Sequence, residues 1–342
     1  MNEPQQDQRH QELVTSFINP PQKIAAEVAK QVQHYKDPSI YRFDLRQAPP
    51  IFQNNAIDQW DERLCLVQAY TNHGKSTICD IFLHHAAKNC AENEIVVKVS
   101  YENTLQQDGT RRLANLLNCK VAAISENRLT EMQESGLNKA YQAIASSPIW
   151  WIGPNEKTAR QFFTPPLADV MRLLTHLVEK QGKTIKMIVV DHFHAIPVKG
   201  GEYSEQRAFG NNVTQLTLFP AAFHCPVIVA TQSARDAEKQ DGLKVPQLHH
   251  LANTADLERA ARNVLSLWIP LNSPGYTYGD AIDTKDGAVI VDENVMFFGI
   301  MKQKDNAPPP IKPGVLDWRG LTIRPYDFKS DKTEIRKQYK DD

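Results

Sequence analysis

The stretch Ala69-Tyr70-Thr71-Asn72-His73-Gly74-Lys75-Ser76-Thr77 limits what this chain can become more than any other. It follows an apolar run, Leu64-Cys65-Leu66-Val67, and precedes a helical pattern from Ile78 to Ala87. A strand, a tight loop and a helix opening on Gly-Lys-Ser have the geometry of a phosphate-binding loop. Backbone N–H groups at a helix start point at phosphate oxygens, and the helix dipole adds partial positive charge there. In that reading Asn72, His73, Gly74, Lys75, Ser76 and Thr77 surround the phosphates. Lys75 reaches the terminal ones, and the Ser76 hydroxyl ligates Mg²⁺. The first position departs from the usual pattern, with Ala69 in place of glycine. Side chains resist positive φ, so Ala69 predicts a tighter loop or weaker nucleotide binding.

The rest of the chain reads as an α/β fold. Strand candidates are Leu64–Gln68, Glu94–Ser100, Ile149–Ile152, Lys186–Asp191, Pro226–Gln232 and Asn263–Trp268. Helical patterns alternate with them, at Thr110–Asn118, Thr130–Ser146 and a face formed by Leu167, Val170, Met171, Leu174, Leu177 and Val178. Alternation of this kind predicts a mostly parallel sheet flanked by helices. Beyond Pro270 the pattern changes. Ala288–Val291 and Val295–Lys302 flank Asp292-Glu293-Asn294, which predicts a C-terminal β-hairpin, and Val315–Arg324 predicts a last strand. Ala307-Pro308-Pro309-Pro310 is a stiff connector. The expected organisation is a mobile N-terminus and short helix over 1–44, one nucleotide-binding domain over 45–325, and a charged tail over 326–342.

Composition excludes several classes. No apolar run has the length of a membrane span, and the Gln-rich N-terminus is no signal peptide. Five scattered cysteines without a Cys-x-x-Cys pair predict reduced core residues of a cytoplasmic protein. With 39 basic against 40 acidic residues, bulk charge does not draw the chain to DNA. Any nucleic-acid contact must come from positive charge concentrated in particular loops.

Nucleotide hydrolysis needs a carboxylate to orient the metal, a base for water and charge at the γ-phosphate. The apolar strand Lys186–Asp191 ends in an acid, which would hold Mg²⁺ at the carboxyl edge of the sheet. An ordinary strand-end Asp capping a turn fits equally when taken alone. Glu102 follows the second strand and would neighbour the phosphate-loop strand, placed to polarise water. A helix-start Glu favoured by the dipole is its bland alternative. Gln232 ends a further apolar strand and could touch the γ-phosphate. The loop Ser233 to Asn253 carries Arg235, Lys239 and Lys244 and reads either as ligand-facing or as solvated surface. His192 and His194, and His249 and His250, lack a third ligand at usable spacing for a metal site.

The order of phosphate loop, strand with Ser-x-Glu, helical insert, strand with Asp, strand with Gln and C-terminal hairpin with Lys-x-Lys resembles the RecA-like motor domain of DnaB-type replicative helicases. The likeness covers approximately residues 45–325. It implies that Lys75 and Ser76 bind ATP and Mg²⁺, Glu102 is the catalytic base, Asp191 the second-motif acid and Gln232 the sensor. Lys302-Gln303-Lys304-Asp305-Asn306 resembles the segment that carries a basic finger into a neighbouring subunit's site. The family usually places arginine there, whereas this chain has Lys304, a point charge without arginine's planar fork. The family's folded N-terminal domain is not expected in the 40–60 residues before the core, where a helix around Ile24–Val32 could serve as linker.

The resemblance implies a ring or helical homo-oligomer, hexamer-like, that hydrolyses ATP and binds single-stranded DNA. The nucleic-acid loops would carry Lys199, Arg207, Arg235 and Lys239, tracking phosphates without reading bases. Two other functions share the same core. One is a nucleotide-controlled assembly factor or regulator without strand separation, and the other is a RecA-like loader or recombinase that forms filaments.

Overall fold

Apolar runs too short for helices and bounded by turn residues become strands, and six of them form the parallel part of one sheet. The structure is a computed structural model that describes residues 62–154, 164–197, 205–234, 238, 242–251, 255–303, 310–319 and 321–331. The six are β1 (Leu64–Ala69), β2 (Glu94–Ser100), β3 (Ile149–Ile152), β4 (Thr184–Asp191), β5 (Val227–Gln232) and β6 (Asn263–Trp268). Three antiparallel strands extend the sheet beyond β6: β9 (Val295–Gln303), β10 (Lys312–Asp317) and β11 (Thr322–Pro325). The sheet order among the described residues is β11-β10-β9-β6-β1-β5-β4-β2-β3.

That order corrects one expectation. β1 is flanked by β5 and β6, and β2 lies beyond both β5 and β4. Glu102 therefore does not arrive from a strand beside the phosphate loop. Long crossovers carry the chain past intervening positions, which local periodicity cannot reveal.

Helices cover the sheet. They are α1 (Lys75–Ala87), α2 (Leu105–Leu116), α3 (Val121–Ser125), α4 (Glu131–Ala145), α5 (Leu167–Glu179), α6 (Glu205–Phe223) and α7 (Ala255–Ala260). Leu167, Val170, Leu174 and Leu177 of α5 join Val213, Leu216 and Phe219 of α6 against alternate residues of β1, β2, β4 and β5. α1 packs on β1, β2, β4 and β5 through Ile78, Ile81 and Phe82. α2 starts five residues before the expected Thr110, because Thr104 and Gln107 form a capping box. Thr130 and Gln133 do the same for α4.

The C-terminal antiparallel strands are present, with different partners from those expected. β8 (Gly287–Ile290) folds back on β7 (Ala281–Thr284) as a separate ribbon, and β9 pairs with β6 and β10. The reason is local: Asp292 Oδ1 accepts from the Asn294 and Val295 N–H groups at 2.8 Å each, so the turn ends one ribbon and starts a strand of the main sheet. The expected last strand divides into β10 and β11, with turn residues at 318, 319 and 321. The start of the charged tail folds back, with Asp331 buried and paired to the Arg324 guanidinium at 2.5 and 2.8 Å. The Ile24–Val32 helix and most of the Pro-rich connector lie outside the described residues. None of the five cysteines is in a disulfide. Among the described residues no helix is long and apolar enough to cross a membrane.

Candidate nucleotide site

The loop joining β1 to α1 passes twice through left-handed backbone, at Asn72 (φ 66°) and Gly74 (φ 80°). Ala69 is in neither place. It ends β1 in parallel register with Gln232 and Leu267, so the alanine brings none of the strain its position suggested. Glycine is needed at 74 instead, where a Cβ would also sit 3.3 Å from the Trp318 ring and 3.5 Å from Ile269.

α1 begins at Lys75 with no side-chain cap and no acid in its first turn. The first-turn N–H groups of an α-helix have no intrahelical acceptor, so this end is built to face an anion. The Lys75 ammonium donates to the Tyr70 carbonyl at 2.9 Å and the Ala69 carbonyl at 3.4 Å. Burial draws its pKa down, while Asp191 and Glu102 act in the opposite direction. Ser76 donates to Asp191 Oδ1 at 3.1 Å. Asp191 is fully buried, and its Oδ2 has no hydrogen-bond donor. Burial raises the Asp191 pKa against the pull of Lys98 and the Ser76 hydrogen bond.

Glu102 lies at the end of β2 with its side chain mostly exposed, and Oε2 is 3.3 Å from His192 Nδ1. Burial lowers the His192 pKa, and Glu102 opposes that. Gln232, at the end of β5, donates to Thr71 Oγ1 at 2.5 Å. Thr71, Asn72, Gly74, Lys75, Ser76, Thr77, Glu102, His192 and Gln232 face one cleft of about 870 Å³. Its outer side is formed by Arg111 of α2, the turn from Asn118 to Val121, and Trp318, Arg319 and Leu321 between β10 and β11.

Some expected site residues are elsewhere. The His73 side chain is turned away from the cleft and fully buried. Its Nδ1 accepts the Ile269 N–H at 2.9 Å, and its Nε2 lies 3.6 Å from Glu238. Burial lowers its pKa to about 4. The His73 side chain therefore shapes the loop from behind the cleft. Lys302 is engaged by its own chain, donating to the Glu258 carbonyl at 2.6 Å, and is absent from the cleft lining. Arg207 belongs to α6 and not to a loop; it lines a separate surface depression with Asp256 and Arg259. Lys199, Arg235, Lys239 and Lys304 lie outside the described residues.

Lys98, Asp80 and Asp108 belong to no motif and escape a reading of the sequence. Lys98 is buried in β2, with its ammonium 2.8 Å from Asp80, 3.1 Å from Asp108 and 3.9 Å from Asp191. Burial alone would depress its pKa, but the three carboxylates outweigh burial and raise it. The available signal is a lysine interrupting the apolar run Ile95-Val96-Val97-Lys98-Val99.

Residues 57–291 match the family model for the DnaB-like helicase C-terminal domain. The chain belongs to that family. Among solved structures, the fold resembles an isolated ATPase domain, with a TM-score of 0.67 and 13% identity over 89% of this chain and 99% of that one. It also resembles a DnaB-like replicative helicase from a structure of that helicase and its interactions with primase. There the TM-score is 0.60 and the identity 14%, over 78% of this chain and 58% of the helicase. At such identities the likeness concerns the fold, and this DnaB-like chain spans little more than half of that helicase's length. No curated protein matches the sequence.

The residues present suit Mg²⁺ together with a nucleoside triphosphate. The donor set is hard oxygen, from Ser76 and Asp191, of the kind that holds Mg²⁺ beside substrate phosphates. Asp191 Oδ2 accepts no hydrogen bond, with the Lys98 ammonium 3.9 Å away, and so keeps acceptor capacity.

Proposed function

We propose that this DnaB-like domain is an ATP-hydrolysing motor that binds single-stranded DNA and works as a homo-oligomer. One observation carries the reading: an uncapped helix start with Lys75, Ser76 bonded to the buried Asp191 behind it, Glu102 and Gln232 meet at one cleft. The α1 N–H groups and Lys75 bind the β- and γ-phosphates, Lys75 exchanging its loop carbonyls for phosphate oxygens. Ser76 and Asp191 hold Mg²⁺, which when bound neutralises charge on the phosphates. Glu102 takes a proton from the attacking water, and His192 keeps the carboxylate oriented. Gln232 joins the γ-phosphate end to the segment after β5 through Thr71. The outer side of the cleft, with Trp318 and Arg111, holds the nucleoside.

DNA contact and subunit contact rest on the family relationship, with Lys199, Arg235, Lys239 and Lys304 as the candidate groups. An assembly factor without strand separation is favoured by a single finding, that Lys302 is tied to its own chain. The test is steady-state ATP hydrolysis by wild type and Lys75→Ala, with and without oligo(dT), alongside unwinding of a forked duplex. Loss of one phosphate-stabilising group is expected to cost about 10²–10³ in turnover, and oligo(dT) is expected to stimulate the wild type. Unchanged hydrolysis in Lys75→Ala would remove the site assignment. ATP-dependent oligomers that never unwind would select the assembly factor.

A further inference from the structure

Hydrolysis as described above makes no use of Lys98, although its ammonium lies buried 3.9 Å from the Asp191 carboxylate. Three elements converge on its ammonium: Asp80 from α1, Asp108 from α2 and Asp191 from β4. Each element supplies a different part of the cleft. α1 carries Lys75 and Ser76, β4 ends at the metal acid, and α2 carries Arg111. One positive charge is thus divided among three carboxylates, two of them nearly sealed from water. Asp108 has two further contacts. Its Oδ2 accepts the Trp151 indole N–H at 2.9 Å, and its Oδ1 lies 4.0 Å from the Arg111 guanidinium.

We propose that Lys98 is a positioning residue that links metal occupancy at Asp191 to α2, through Asp108, and thereby sets where Arg111 stands in the cleft. The inference rests on the nucleotide-site reading above. A divalent cation beside Asp191 repels the Lys98 ammonium and satisfies the carboxylate that had attracted it. The ammonium then leans toward Asp80 and Asp108. A firmer hold on Asp108 loosens what that carboxylate gives to the Trp151 indole and to Arg111. Charge–charge forces act strongly here because the cluster is shielded from solvent and salt. A lysine at this place serves a coupling role that an apolar residue, equally suited to β2, could not.

Trp151 supplies the readout. Trp318 lines the cleft itself, so tryptophan emission is followed in full-length chain carrying Trp318→Phe, the reference for every variant. Mg²⁺ and a non-hydrolysable ATP analogue are added, with nucleotide binding measured separately by equilibrium dialysis. The reference is expected to change its emission on binding, and Trp151→Phe to lose that change while binding normally. Lys98→Met strands three carboxylates and endangers folding, so Asp108→Asn, which cuts only the outer arm, is the principal variant. It is expected still to saturate with the analogue and Mg²⁺, at weaker affinity because Arg111 is no longer placed, and to lose the Trp151 signal at saturation. Lys98→Arg, which keeps the cation, is expected to retain it. A full signal in Asp108→Asn or in folded Lys98→Met overturns the link, as does binding by the reference with no Trp151-dependent change. Failure of the wild type to bind nucleotide at all would overturn the site reading, and this proposal with it.

Discussion

The two walls of the cleft are made differently. The inner wall comes from strand ends of the parallel sheet and the start of α1, and its polar groups are already engaged. Ser76 meets Asp191 and Gln232 meets Thr71, while behind them His73 meets the Ile269 N–H and Lys98 sits among three acids. The outer wall comes from the turn after α2 and the turn between β10 and β11, where Asn118, Lys120 and Arg319 are exposed or half-exposed. The family match ends at residue 291, before Trp318 and Arg319 are reached. Preorganised groups belong where charge develops during reaction, and exposed ones where a ligand must enter and leave. Chemistry is therefore assigned to the inner wall and ligand selection to the outer one.

The largest effect expected on this division is at Glu102. Glu102→Gln keeps the shape and removes the base, so ATP turnover should fall by about 10²–10⁴ while dialysis shows nucleotide binding retained. A variant with near-normal turnover would take the reaction away from the inner wall.

Next in size is a pH effect behind the same wall. Burial holds His73 neutral, with a pKa near 4 in place of 6.5. The unfolded chain then binds the extra proton between those values. This contribution is complete above pH 6.5 and disappears as pH falls toward 4, amounting to at most about 3 kcal/mol. His73→Asn should melt lower at pH 7 and lose less on acidification than wild type does. Parallel melting curves from pH 7.5 to 4.5 decide this; equal slopes would mean that His73 is not the group responsible.

The smallest effect is expected from the outer wall. Trp318→Ala should raise KM for ATP by about two- to tenfold, the worth of one aromatic contact of 0.5–1.5 kcal/mol, with kcat little altered. A collapse of kcat instead would show that the two walls act as one.

Much of the inner wall is readable in the sequence because its signals are local. Glu94–Ser100, Ile149–Ile152 and Asn263–Trp268 are strands with the boundaries expected, since buried parallel strands appear as continuous apolar runs. The anion cradle follows from Gly74-Lys75-Ser76 between strand and helix. What escapes depends on partners far away in the chain. His73 looks like a ligand because of its neighbours, yet Ile269, 196 positions on, takes its ring. α6 is hard to see although Phe209, Val213, Leu216 and Phe219 mark a helical face, because Asn211-Asn212 and Pro220 interrupt it with turn-like residues. The partner of β8 is misjudged because an Asp–Glu–Asn turn looks alike whether it closes a hairpin or separates two ribbons. Lys98 passes for an exception within a strand, since its three partners come from three elements.

Gly74 rests beneath the ring of Trp318, a residue 244 positions later, brought there by the last antiparallel strands. That side of the cleft is therefore complete only once the far end of the chain has docked, and contacts so distant in sequence are slow to form. During refolding, capacity for nucleotide should emerge after the central strands have paired, which makes the ligand itself a clock for the final step of assembly.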